Sequence, residues 1–89
     1  MTFKDKINAI VKLWNPHAAA CYKIKHARFG VTSGKNYADL IPENQGIEHI
    51  YVEGEEQADT LLAALQQSKD WHYYELRDWK TLKTKVNRQ

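Results

Sequence analysis

The sequence predicts a small α+β domain in which a mostly antiparallel sheet of three to four strands carries two amphipathic helices on one face. Two segments repeat apolar residues every three to four positions, the period of a helix, and others alternate apolar with polar residues, the period of a strand. Most connections between the strand segments are too short for parallel crossovers. The expected order is α-β-(β)-β-α-β-(α) in one compact domain, residues 1–89, with a frayed basic tail from about residue 86.

A first helix is predicted over residues 3–14. Thr2, followed three residues later by Asp5, is a variant of the capping box, and Pro16 disfavours helical geometry at Asn15. The apolar face of this helix is formed by Phe3, Ile7, Ile10, Val11 and Trp14.

A strand over residues 21–29 follows a short connector. Tyr22 and Ile24 alternate with polar neighbours, whereas Ala27 and Phe29 fall on the opposite parity. The strand therefore either contains a bulge or buries parts of both faces. The residues Thr-Ser-Gly-Lys at 32–35 predict a turn, and the segment NYADLI, ended by Pro42, predicts a short second strand.

The segment IEHIYVEG at 47–54 predicts a further strand with Ile50 and Val52 on its buried face. Glu55 and Glu56 then stand where a helix N-terminus favours negative charge, so a second helix is expected over 55–68. Its apolar stripe is Ala58, Leu61, Leu62 and Leu65. The segment WHYYELRDW at 71–79 predicts another strand, and TLKTKV predicts a short final helix.

Composition limits the class of protein. With 43% hydrophobic and 27% charged residues, the 89-residue chain has the balance of a globular domain, not of a disordered one. Cys21 is the only cysteine, so no intrachain disulfide can form, and a reducing cytoplasm is the expected location. The N-terminal segment has helical periodicity instead of a continuous apolar run, so neither a signal peptide nor membrane insertion is expected.

The net charge of +2 conceals a strong segregation of charge along the chain. Residues 1–37 carry a net charge of +6, residues 38–70 a net charge of −7 and residues 71–89 a net charge of +3. These blocks either form surface patches or are interleaved and neutralised by folding.

Motifs for common site chemistries are missing from the sequence. His17, Cys21 and His26 lack the paired spacing of structural zinc sites, so no metal is expected. The stretch from Gly30 to Lys35 has three residues between its glycines, where a phosphate-binding loop needs four. Cys21 and Ser33 have no nucleophile motif around them. We therefore expect a non-enzymatic protein without a cofactor.

Aromatic residues are abundant, ten in all, and they concentrate in the segment 71–79. Tryptophan, tyrosine and arginine are enriched in interface hot spots, and carboxylates fit a basic partner surface. Which face of this strand is buried is left open. The first hypothesis is a protein-binding module, an inhibitor or adaptor acting on a larger protein or protein complex, in the style of phage or mobile-element proteins. Its candidate partner-binding residues are Trp71, Tyr73, Arg77, Trp79, Glu53, Glu55 and Glu56.

Two alternatives come from different chemistry. A nucleic-acid binder would use basic residues for phosphates and aromatic rings for unpaired bases. A small metal-independent ribonuclease would combine His26 and His49 with lysines for proton transfer and charge stabilisation. A homodimer through an edge strand is a further hypothesis, because edge strands carry unpaired backbone groups. The candidate nucleic-acid contacts are Lys23, Lys25, Arg28, Lys80, Lys83 and Lys85.

Overall fold

A computed structural model of the chain describes residues 1–47 and 49–67. The described part is an α+β fold with two helices and a three-stranded antiparallel sheet in the order β1-β2-β3. Its elements are α1 (Phe3–Trp14), two short 3-10 turns (Asn15–His17 and Ala20–Tyr22), β1 (Ile24–Thr32), β2 (Lys35–Pro42), β3 (Ile50–Glu53) and α2 (Gly54–Gln67). The predicted strand 71–79 and the predicted final helix lie outside the described residues.

Helix α1 has the predicted bounds and the predicted cap. The Thr2 hydroxyl accepts a hydrogen bond from the backbone N–H of Asp5 at 3.1 Å, and the Asp5 carboxylate accepts one from the backbone N–H of Thr2 at 3.1 Å. This reciprocal pair satisfies two N–H groups that a helix start leaves without intrahelical partners.

The link from α1 to β1 corrects the predicted strand 21–29. Cys21 and Tyr22 belong to a 3-10 turn, and the strand begins only at Ile24. The Trp14 indole N–H donates to the Tyr22 carbonyl at 3.0 Å. The Asn15 side chain accepts from the Ile24 N–H at 2.8 Å and donates to the Ile24 carbonyl at 3.2 Å, as a neighbouring strand would.

Strands β1 and β2 form a hairpin at the predicted turn. Ser33 and Gly34 both have positive φ angles, 51° and 78°, which is the sign pattern of a type I′ two-residue turn. The register shifts between Ile24 and His26, which places an extra residue, Lys25, in the strand. This bulge is one of the two predicted alternatives, and it lets Ile24 and Ala27 share a face.

Both helices cover one face of the sheet and enclose a single apolar cluster. Strand β2 contributes Ala38 and Leu40, which pair in register with Val52 and Ile50 of β3, and all four are buried there. The helices contribute Phe3, Ile7, Ile10, Trp14, Ala58, Leu61, Leu62, Ala64 and Leu65. Among the residues described, no helix has the length and apolar character needed to cross a membrane.

Candidate functional site

The face of the sheet opposite α1 and α2, here called the outer face, carries polar and aromatic side chains. Side chains alternate across a strand, so the buried positions of β2 and β3 direct the residues between them outward. Tyr37 lies opposite Glu53 and Asp39 lies opposite Tyr51 in the register. These four residues, here called the sheet-face cluster, form a two-by-two array with tyrosines on one diagonal and carboxylates on the other.

The two tyrosines of the cluster are stacked. Their ring centroids are 5.5 Å apart and their planes differ by 29°. The Tyr51 residue is 44% exposed, so the pair is accessible on the outer face. On the β1 side, Tyr37 lies over Gly30, its partner in the register, and a Cβ atom added at Gly30 would lie 2.5 Å from the Tyr37 ring and its hydroxyl oxygen.

Charges of both signs surround the stacked pair. His49 Nδ1 lies 3.1 Å and 3.2 Å from the two carboxylate oxygens of Asp39. Arg28 is exposed and lies opposite Asp39 on β1. Desolvation raises the pKa of Tyr51, and the nearby Glu53, Tyr37 and Asp39 raise it further, so the Tyr51 hydroxyl stays protonated.

The two histidines of the ribonuclease hypothesis fall on the outer face. His26 is exposed on β1, in register with Ile41 of β2, and His49 reaches the outer face at Asp39. Ile41 is buried to 5% exposure but does not belong to the helix-side cluster. Asp39 positions one histidine, as an orienting carboxylate does for a general base.

The predicted acidic residues come together at one end of the sheet. Glu53, Glu55 and Glu56 line a groove of about 490 Å³ that the β1–β2 turn closes on the other side with Lys35. Glu55 and Glu56 are exposed in the first turn of α2. Only Glu53 also belongs to the sheet-face cluster, so the predicted acidic set spans two surfaces.

One of these carboxylates is paired with a lysine of α1. Lys6 Nζ lies 3.7 Å from Glu55 and 3.0 Å from Asp59. The hydrogen bond to Asp59 raises the pKa of Lys6, and the charge of Glu55 adds to that shift. This contact joins the two helices, so Glu55 has a partner within the domain.

The predicted basic residues of the β1 segment are exposed but do not form one row. Lys23 precedes the strand, and its backbone carbonyl accepts a hydrogen bond from the Glu43 N–H at 2.8 Å. Lys25 is the bulged residue. Only Arg28 lies beside the sheet-face cluster, where Asp39 and Glu53 would repel a phosphate backbone.

Several predicted site residues lie outside the described residues, and their roles stay predictions. These are the candidate partner contacts Trp71, Tyr73, Arg77 and Trp79 and the candidate phosphate contacts Lys80, Lys83 and Lys85. Cys21 is a free, exposed thiol. Within residues 1–47 and 49–67, the acidic, histidine and cysteine side chains form no group of three that could hold a metal ion.

Sequence reasoning did not select Tyr37, Asp39 and Tyr51 as site residues. The signal that could have found them is the alternation of side chains along a strand, because Asp39 and Tyr51 lie between residues buried under the helices and Tyr37 directly precedes one. Parity alone does not bring the tyrosines together, since their stacking depends on the register between β2 and β3.

Comparison with known proteins adds no relative. No protein-family model, curated protein or solved structure matches the chain. Its function is therefore argued from its own residues.

Proposed function

We propose that this chain is a non-enzymatic protein-binding module, an inhibitor or adaptor that docks on a larger macromolecular partner through the outer face of its sheet. The observation that carries this proposal is the stacked, accessible pair Tyr37 and Tyr51 between the carboxylates of Asp39 and Glu53. Tyrosine offers large contact area, a polar hydroxyl and little rotamer entropy to lose, which is why it is frequent in interface hot spots. With the free thiol of Cys21, the proposed location is the reducing cytoplasm.

The charge of the site favours a protein over a nucleic acid. A single strand stacked on the tyrosines would bring its phosphates close to Asp39 and Glu53. A protein partner with basic side chains meets the same carboxylates favourably. For this reason nucleic-acid binding is the second candidate.

The proposal is tested by affinity capture of the tagged full chain from extract of its native cells, with nuclease present. We expect a protein partner that the wild type retains and Tyr51→Ala loses, because truncation removes the accessible ring. The matched control is Val31→Ala, which truncates an apolar side chain that is 68% exposed on the opposite face. Circular dichroism checks that both variants fold.

Further variants decide whether the partner contacts the sheet-face cluster or the segment 71–79. Loss of capture in the double variant Tyr73→Ala and Arg77→Ala, with capture kept in Tyr51→Ala, would move the contact from the sheet-face cluster to the segment 71–79. Capture that no variant weakens, or that nuclease abolishes, would contradict the proposed function.

A further inference from the structure

The sheet-face cluster combines flat rings with negative charge in a way that specifies a ligand. Each tyrosine has a carboxylate directly opposite it on the neighbouring strand, Glu53 for Tyr37 and Asp39 for Tyr51. Directly opposite side chains have Cβ atoms roughly 4.5–5.5 Å apart. A group resting on a ring is therefore within reach of a carboxylate beside it.

Neither carboxylate of this cluster forms an ion pair with a lysine or arginine of the described part of the chain. Arg28 lies across β2 from Tyr51, and within residues 1–47 and 49–67 it forms no ion pair with Asp39. Over the same residues Glu53 has no ion pair, and the ion-pair contact of Asp39 is with His49. Desolvation raises the pKa of Tyr51, and the charges of Glu53 and Asp39 raise it further, because each disfavours another negative charge there.

A guanidinium group fits this arrangement better than an ammonium group does. It is planar, it stacks on aromatic faces, and it presents its donors in a fork that matches a carboxylate. A lysine ammonium is a more strongly hydrated point charge and gains less from a ring stack.

We propose that the partner docks an arginine side chain on the sheet-face cluster, its guanidinium stacked on Tyr51 and hydrogen-bonded to the carboxylate of Glu53 or Asp39. This inference rests on the proposed function, because it names the chemistry by which the protein partner is recognised. The carboxylates favour a cation and the ring favours a planar one, so the cluster selects arginine over lysine.

The test titrates the isotopically labelled full chain with a hexa-arginine peptide and with a hexa-lysine peptide, followed by NMR. We expect the arginine peptide to shift the amide resonances of Tyr37, Asp39, Tyr51 and Glu53 and to bind several-fold more tightly than the lysine peptide. Tyr51→Ala should weaken binding about tenfold, the equivalent of a partly desolvated cation–ring contact.

Charge variants keep the proposal testable if Tyr51→Ala does not fold. Glu53→Gln should weaken binding of the arginine peptide about threefold, as expected for an exposed ion pair. Glu43→Gln is the matched control, because it removes an exposed carboxylate that follows the other end of β2 and should leave binding unchanged. Equal binding of the two peptides, or no effect of Tyr51→Ala and Glu53→Gln, would overturn the proposal.

Failure of this inference is distinguishable from failure of the proposed function. A partner whose capture depends on Tyr51 but is not displaced by the hexa-arginine peptide would leave the proposed function standing and refute the arginine. A dimer in sedimentation that Arg28→Ala dissociates would assign the cluster to a second copy of the chain and refute an arginine from a different protein.

Discussion

The Tyr37 ring of the stacked pair packs directly on Gly30, and replacing Gly30 with alanine tests that contact. The added Cβ would lie 2.5 Å from Cε2, Cζ and Oη of Tyr37. Carbon atoms in contact are roughly 3.5–4.0 Å apart, so the Tyr37 ring must retreat by about 1 Å or more. That movement disturbs its stacking on Tyr51, whose ring centroid is now 5.5 Å away.

The expected change in the free energy of unfolding combines two destabilising contributions and one stabilising contribution. Losing the aromatic pair costs about 0.5–1.5 kcal/mol, and crowding adds to that cost. Alanine itself stabilises a strand by about 0.5 kcal/mol relative to glycine, because glycine loses more backbone freedom on folding. Gly30→Ala should therefore lower the free energy of unfolding by about 1 kcal/mol.

A double-mutant cycle isolates the contact. In a Tyr37→Ala background no ring opposes the new methyl group, so Gly30→Ala should raise the free energy of unfolding by about 0.5 kcal/mol. The coupling between the two sites is then about 1.5 kcal/mol, measured by urea unfolding of the four proteins with far-ultraviolet circular dichroism. An effect of Gly30→Ala with the same sign and size in both backgrounds would refute the packing of Tyr37 on Gly30.

The remaining predictions concern the cap of α1, the start of β1 and nucleic acid. Thr2→Ala should lower the free energy of unfolding by about 1 kcal/mol, the usual cost of a lost helix cap, as measured by urea unfolding. The pKa of Asp5 is lowered mainly by its hydrogen bond with the Thr2 backbone and further by its hydrogen bond with the Thr2 side chain. Because the pKa of Asp5 is lower in the folded than in the unfolded chain, Asp5 stabilises the fold above about pH 4, and that contribution is lost as the pH falls. Asp5→Asn should therefore reduce the loss of unfolding free energy that the wild type shows on acidification. Asn15→Ala should lower the free energy of unfolding by about 2 kcal/mol in the same assay, because it removes both hydrogen bonds to Ile24. A fluorescent single-stranded RNA and a DNA duplex should form no complex with the full chain at 50 mM salt, and a complex that weakens steeply toward 200 mM would favour the nucleic-acid hypothesis instead.

Local signals in the sequence were sufficient to predict α1, α2 and the hairpin of β1 and β2. Helix α1 has both its predicted bounds because its cap, its apolar period and the following proline act within a few residues of each other. Ser33 and Gly34 form the predicted turn because a tight hairpin needs positive φ angles at both positions. The parity break before Ala27 predicted either a bulge or burial on both faces, and the register shift after Ile24 shows the bulge.

Contacts between distant residues explain what sequence reasoning missed. Tyr22 continues an alternating pattern, yet it lies in a 3-10 turn whose carbonyl accepts a hydrogen bond from Trp14. The stacking of Tyr37 on Tyr51 depends on the register of β2 against β3, and the long connection between these strands does not fix that register as a two-residue turn does.

Within the described part of the chain, folding neutralises the charge blocks of the sequence only in part. Lys6, from the basic first block, pairs with Glu55 and Asp59, from the acidic block, so the contact between α1 and α2 neutralises the two blocks against each other. Asp39 and Glu53 belong to the same acidic block but lie on the outer face, where neither forms an ion pair with a lysine or arginine of the described part of the chain. A carboxylate without such a pair can be met by a basic side chain of a partner. Because these carboxylates lie beside an accessible ring, the proposed recognition of a flat cation depends on the register of β2 against β3.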